Sequence, residues 1–67
     1  MIKCHLSTLM GQHKVNVADL ARKLDIHRGS ISRLYHEKAI RVDVEHMDKL
    51  CRYFECEIGE LFEFVDD

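Results

Sequence analysis

The stretch "VADLARKLDIHRGSISRLYH", residues 17 to 36, constrains the fold more than any other part of the chain. Val17, Leu20, Ala21 and Leu24 recur at helical spacing, and Ile31, Leu34 and Tyr35 do so again further on. Only Asp25, Ile26 and His27 separate the two predicted helices, so two short amphipathic helices must cross close to one another. Ala21 is small where the crossing falls. Ile26 is placed to insert from the turn into the core, and Ile31 and Leu34 to pack back on Leu20 and Leu24. A turn this tight needs a positive φ, which Gly supplies freely and Asn or Asp tolerates. Asp25 is therefore permitted, at about 1 kcal/mol relative to Gly.

Most of the remaining chain reads as helix. It has no Pro and only three Gly among its 67 residues, so helices joined by short turns are favoured over strands and long loops. A first helix is predicted over residues 2 to 13, with Ile2, Leu6, Leu9 and Met10 on one face. The second follows an Asn16 cap and covers Val17 to Leu24, with Asp19 in its first turn, where a carboxylate suits the helix dipole. The third runs from about Arg28 to His36, with Ile31, Leu34 and Tyr35 inward. Residues 37 to 42 form a connector. Asp43 caps a fourth helix to about Phe54, with Met47, Leu50, Cys51 and Phe54 buried. Cys56 or Glu57 opens a short fifth helix, and the tail "FEFVDD", in which Phe64 and Val65 alternate with acids, is ambiguous. The expectation is a single all-α domain over residues 1–67 with five helices.

Charge divides the chain in two. Residues 1–41 hold eight Lys and Arg against three acids, and residues 42–67 hold two against nine. A basic half and an acidic half fit a surface that meets an anion and a far side that does not, or simply uneven solvation of helices. No apolar run approaches the length of a membrane span, and the N-terminus lacks the pattern of a signal peptide, so a cytoplasmic, non-membrane protein is expected. Three cysteines make a poor disulfide framework and are expected as free thiols. Cys51 and Cys56 on apolar stripes read as core packing rather than a metal or redox site, because a zinc site wants tighter ligand spacing. No metal, cofactor or small-molecule effector is implied. Ser7, Ser30 and Ser32 lack a His–acid relay and no phosphate loop is present, so no enzyme is expected.

Two short helices about a three-residue turn, the second with an exposed polar face, form a helix-turn-helix over about residues 17–36. Here the sequence resembles the Cro/XRE-type regulators, the fold of phage Cro and lambda-type repressors. The resemblance runs through "VADLARKLDIHRGSISRL" and on through "VEHMDKLCRYFECEIGELFEF", which is similar to that family's fourth and fifth helices. The subgroup it is nearest to consists of short stand-alone regulators of bacteria and mobile elements. The resemblance implies that the third helix enters the major groove of double-stranded DNA. Base reading would then fall on His27, Arg28, Gly29, Ser32 and Arg33, where Arg suits the O6 and N7 of guanine. Phosphate contacts would fall on Asn16, the Val17 N–H, Ser30, His36 and Lys38, with Lys14, Arg22 and Arg41 adding diffuse attraction.

Three positions depart from the family pattern. Val17 has no polar side chain for a phosphate, His27 is a poorer helix cap than Ser or Thr, and Gly29 offers no reading side chain. Gly29 is taken here to leave room for close approach to DNA. A homodimer on a palindromic operator is expected, most naturally a repressor associated with the bacterial nucleoid when bound, with Phe64 and Val65 as the dimer contact. The alternative is a protein-interaction module on the same scaffold, of antirepressor or antitoxin type.

Overall fold

The computed structural model describes residues 1–66. In chain order the elements are β1 (Ile2–Cys4), α1 (Leu6–Gln12), α2 (Val17–Leu24), α3 (Arg28–Tyr35), α4 (Val44–Phe54), α5 (Ile58–Leu61) and β2 (Phe62–Phe64). The five helices enclose one core. Leu6, Leu20, Ile31, Leu50 and Leu61, one from each helix, are at most 1% exposed. Met10, Ala21, Ile26, Leu34, Met47 and Phe54 complete it. No helix among the described residues is long and apolar enough to cross a membrane.

The domain is not all-α. Residues 2–4 form a strand instead of the first turn of α1, and they pair antiparallel with β2 in the register Ile2↔Phe64, Lys3↔Glu63 and Cys4↔Phe62. Ile2, Leu6, Leu9 and Met10 do share helical spacing, but Ile2 is 62% exposed and lies outside α1. The reason is non-local. "IKC" acquires its backbone partners from "FEF" some sixty residues away, and local periodicity carries no trace of that pairing. The pairing continues beyond the strands. Val65 N–H donates to Met1 O at 2.8 Å, and His5 N–H donates to Leu61 O at 2.8 Å. Cys4 N–H donates to Glu37 Oε1 at 3.0 Å, which ties the sheet to the end of α3.

Four helices end in the same way, and none uses glycine. Lys14, Asp25, Glu37 and Glu55 take φ of 55°, 54°, 57° and 51°. After each, the next N–H reaches back across the last turn: Val15 to Met10 O, Ile26 to Ala21 O, Lys38 to Arg33 O and Cys56 to Cys51 O, all within 3.0 Å. This is the Schellman closure, which satisfies carbonyls that the helix leaves without partners. An L-residue in this conformation costs about 1 kcal/mol relative to glycine. The chain accepts that cost four times, with Val15, Ile26 and Cys56 packed on or in the core after three of the turns.

Two inward assignments from the sequence are corrected. Tyr35 is 38% exposed, because it faces the groove beside α2 rather than the core. Cys51 is half-buried and lies outside the core cluster, whereas Cys4 and Cys56 pack against it.

Candidate nucleic-acid interface

The turn that aims α3 is built as its residues dictate. Asn16 caps α2 through Oδ1, which accepts the Asp19 N–H at 2.8 Å. At the other end Asp25 adopts φ 54° and ψ 48°, and Ile26 drops into the core at 4% exposure. Lys49 Nζ donates to Leu24 O at 3.0 Å, so α4 also holds the end of α2. The start of α3 is thereby fixed from both sides of the turn.

His27 caps α3 through its side chain. Its Nδ1 accepts the Gly29 N–H at 3.0 Å, so the imidazole fills the cap position where Ser or Thr would serve. Gly29 follows from this geometry. A Cβ there would lie 3.1 Å from both Nδ1 and Cε1 of His27, closer than ordinary van der Waals contact. The room at Gly29 is occupied by the imidazole of the same protein, where the sequence reading left it for DNA.

Two clefts flank α3. One lies toward the start of α2 and is lined by Asn16, Val17, Arg28, Tyr35 and His36. The other lies toward the connector and is lined by Ser30, Arg33, Arg41, Asp43 and His46. Arg28 and Arg33 thus serve opposite flanks, as five residues of helix turn them about 140° apart. Ser32 lies half-exposed on the same helix, and Lys38 stands outside both clefts with its N–H closing the end of α3 at 2.8 Å. Phe64 and Val65 belong to the terminal sheet and its extension, apart from this group.

The cations divide by what holds them. Arg22 pairs with Asp19 at 2.9 Å and Arg52 with Asp48 at 2.9 Å. Lys23 lies 5.9 Å from the centroid of the Tyr53 ring. Arg28, Arg33, Lys38 and Arg41 are exposed and enter no ion pair among the described residues. Four cations beside or just beyond one exposed helix face, none of them in an ion pair among the described residues, form an anion-attracting surface.

The comparison with known proteins agrees with this geometry. The family model described as a Cro/C1-type HTH DNA-binding domain matches residues 5–67. The chain belongs to that family. It is also similar to the uncharacterized HTH-type transcriptional regulator YozG of Bacillus subtilis (strain 168), at 22% identity over 63 residues, covering 94% of this chain and 75% of the relative.

In this Cro/C1-type domain, sequence reasoning missed Tyr35, Asp43 and His46 as lining groups and read Arg41 only as diffuse charge. His46 carried a legible signal, because it stands in the first turn of α4 beside the Asp43 cap. Tyr35 carried none, since its spacing from Ile31 suits the core equally well. Among the described residues, no group of three or more His, Cys, Asp or Glu is arranged to hold a metal ion.

Proposed function

We propose that the protein is a transcriptional regulator that reads double-stranded DNA with α3 in the major groove. The observation that carries this reading is the unpaired state of Arg28 and Arg33 on the exposed helix of a Cro/C1-type domain. Arg28, Ser32 and Arg33 supply base contacts, with His27 at the helix start. Asn16, the Val17 N–H, Ser30, His36 and Lys38 hold phosphates on either side. Asn16 Oδ1 is committed to its cap, so its amide nitrogen is the group that reaches a phosphate.

A homodimer on a palindromic operator, acting as a repressor, completes the reading. One module of this size reads few base pairs, and two half-sites a helical turn apart multiply the selectivity. Phe64, 71% exposed and paired with the 62% exposed Ile2, gives the terminal sheet an apolar outer face for that contact. Val65 is half-buried and plays the lesser part.

Selection of binding sites from random duplex DNA tests the proposal. The expected outcome is a two-fold symmetric motif with guanines that vanish when Arg28 or Arg33 is replaced by Ala. Recovery of no motif, with a duplex affinity that barely responds to salt, would overturn it.

A further inference from the structure

The start of α3 carries a device that the general reading of the domain does not use. His27 Nδ1 accepts the Gly29 N–H at 3.0 Å. A ring nitrogen that accepts from an N–H carries no proton, so the neutral imidazole holds its proton on Nε2. The ring is exposed, and Nε2 stands across it from the capped nitrogen. The point where a Cβ of residue 29 would sit lies 3.1 Å from His27 Nδ1 and Cε1, and 3.9 Å from Arg33 Nη2. Imidazole and guanidinium therefore share one corner of the exposed helix, and glycine leaves the ring its place there without crowding.

We propose that His27 is a specificity-determining residue whose cap on Gly29 fixes its tautomer and presents Nε2–H to a hydrogen-bond acceptor of the bound duplex. The inference rests on the DNA-binding reading above and adds to it a donor, a tautomer and a reason for Gly29. The cap removes the ring's freedom to flip, so the outward nitrogen is a donor only. A donor-only group accepts purine N7, guanine O6, thymine O4 or a phosphate oxygen as partner and rejects the exocyclic amino groups of adenine and cytosine. Gly29 acts on recognition through His27: a Cβ there would crowd the ring at 3.1 Å and shift it by a few tenths of an ångström, moving the donor beside Arg33.

The test uses the full chain and the duplex selected by the wild type. At a pH where the ring is neutral, nitrogen NMR of His27 is expected to show Nδ1 unprotonated and Nε2 protonated; the reverse tautomer overturns the proposal without any DNA present. H27S keeps a strong helix cap but loses the donor. It is expected to melt at or above the wild-type temperature while binding the selected duplex about tenfold more weakly. Binding within twofold of wild type overturns the donor role. G29A is expected to lower the melting temperature in the wild-type background and raise it in the H27S background, where alanine is the better helix former. An equal effect in both backgrounds overturns the pairing of His27 with Gly29. A loss in H27S confined to one base pair assigns the acceptor to a base edge, and a uniform loss across sequences assigns it to phosphate and overturns the specificity role. Should the wild type itself bind no duplex, the parent reading fails; should it bind as H27S does, only this inference fails.

Discussion

Helices α3 and α4 carry similar numbers of cations and use them in opposite ways. In α4, "VEHMDKLCRYF", Asp48 stands four residues before Arg52 and holds it at 2.9 Å, and Lys49 reaches the Leu24 carbonyl at 3.0 Å. In α3, "RGSISRLY", there is no acid at all, and Arg28 and Arg33 enter no ion pair among the described residues. The i,i+4 spacing that pairs charges within a helix is present in one and absent in the other. The difference teaches that cation count alone is a poor guide to a binding face. What marks the face is a cation whose local sequence offers it no partner, on a helix whose buried side is already secured.

The comparison can be broken most forcefully in the core. Leu50→Ala on α4 should cost about 2–5 kcal/mol in chemical denaturation, because a wholly buried leucine leaves a cavity that its neighbours fill only in part. Any loss of DNA binding should then follow the loss of folded protein and disappear once affinity is expressed per folded molecule.

The arginines should behave in the converse way. Arg28→Ala and Arg33→Ala should each weaken the selected duplex by about 1–3 kcal/mol and relax preference at one base pair. Their melting temperatures should stay near wild type, since exposed residues without partners contribute little to folding. Lys49→Ala should reverse that pattern. It should lose about 0.5–1.5 kcal/mol of stability with its hydrogen bond to Leu24, and keep its affinity for DNA. Equal effects of Arg33→Ala and Lys49→Ala on both measurements would erase the distinction between the two helices.

A smaller effect sharpens the role of the turn between α2 and α3. Asp25→Gly should raise stability by up to about 1 kcal/mol, because glycine adopts φ 54° without the steric penalty. DNA affinity should be unchanged, as the backbone path into α3 is retained.

The smallest effect concerns the thiols at the acidic end and on the sheet. Burial pushes the Cys4 thiol up from its usual value near 9.0, with Glu37 adding to the shift against a lowering hydrogen bond from Leu6. Burial likewise raises Cys56, with Cys51, Glu60 and Glu57 contributing. A folded-state pKa above the unfolded one gives stability that is complete below the unfolded value and is lost as pH rises through the folded one. Thermal stability should therefore decline above about pH 9, and alkylation at neutral pH should be slower than for an unfolded control.

Much of the frame was legible. Asn16 and Asp43 act as caps where their side chains suggested, through Asp19 N–H and Glu45 N–H at 2.8 Å each. The bounds of α2 and the positive φ of Asp25 follow from residues within a few positions of one another. What escaped was whatever depends on a distant or unexpected partner. The strand at Ile2–Cys4 needs the far end of the chain. Cys51 carries the same apolar spacing as Leu50 and Phe54, yet it stays half-buried outside the core cluster. The connector looked polar in outline, but Ile40 is 93% exposed and Val44, at the start of α4, 81%.

By itself, then, the sequence determined five helices, the tight turn and the basic face. Periodicity, caps and charge are local properties, set by residues a turn or two apart. Only the tertiary structure decided that the termini close into a sheet, which groups line the clefts beside Arg28 and Arg33, and that the imidazole of His27 takes the space Gly29 leaves. Each of those depends on where a side chain or strand comes to rest in three dimensions, and the one-dimensional pattern is compatible with more than one such place.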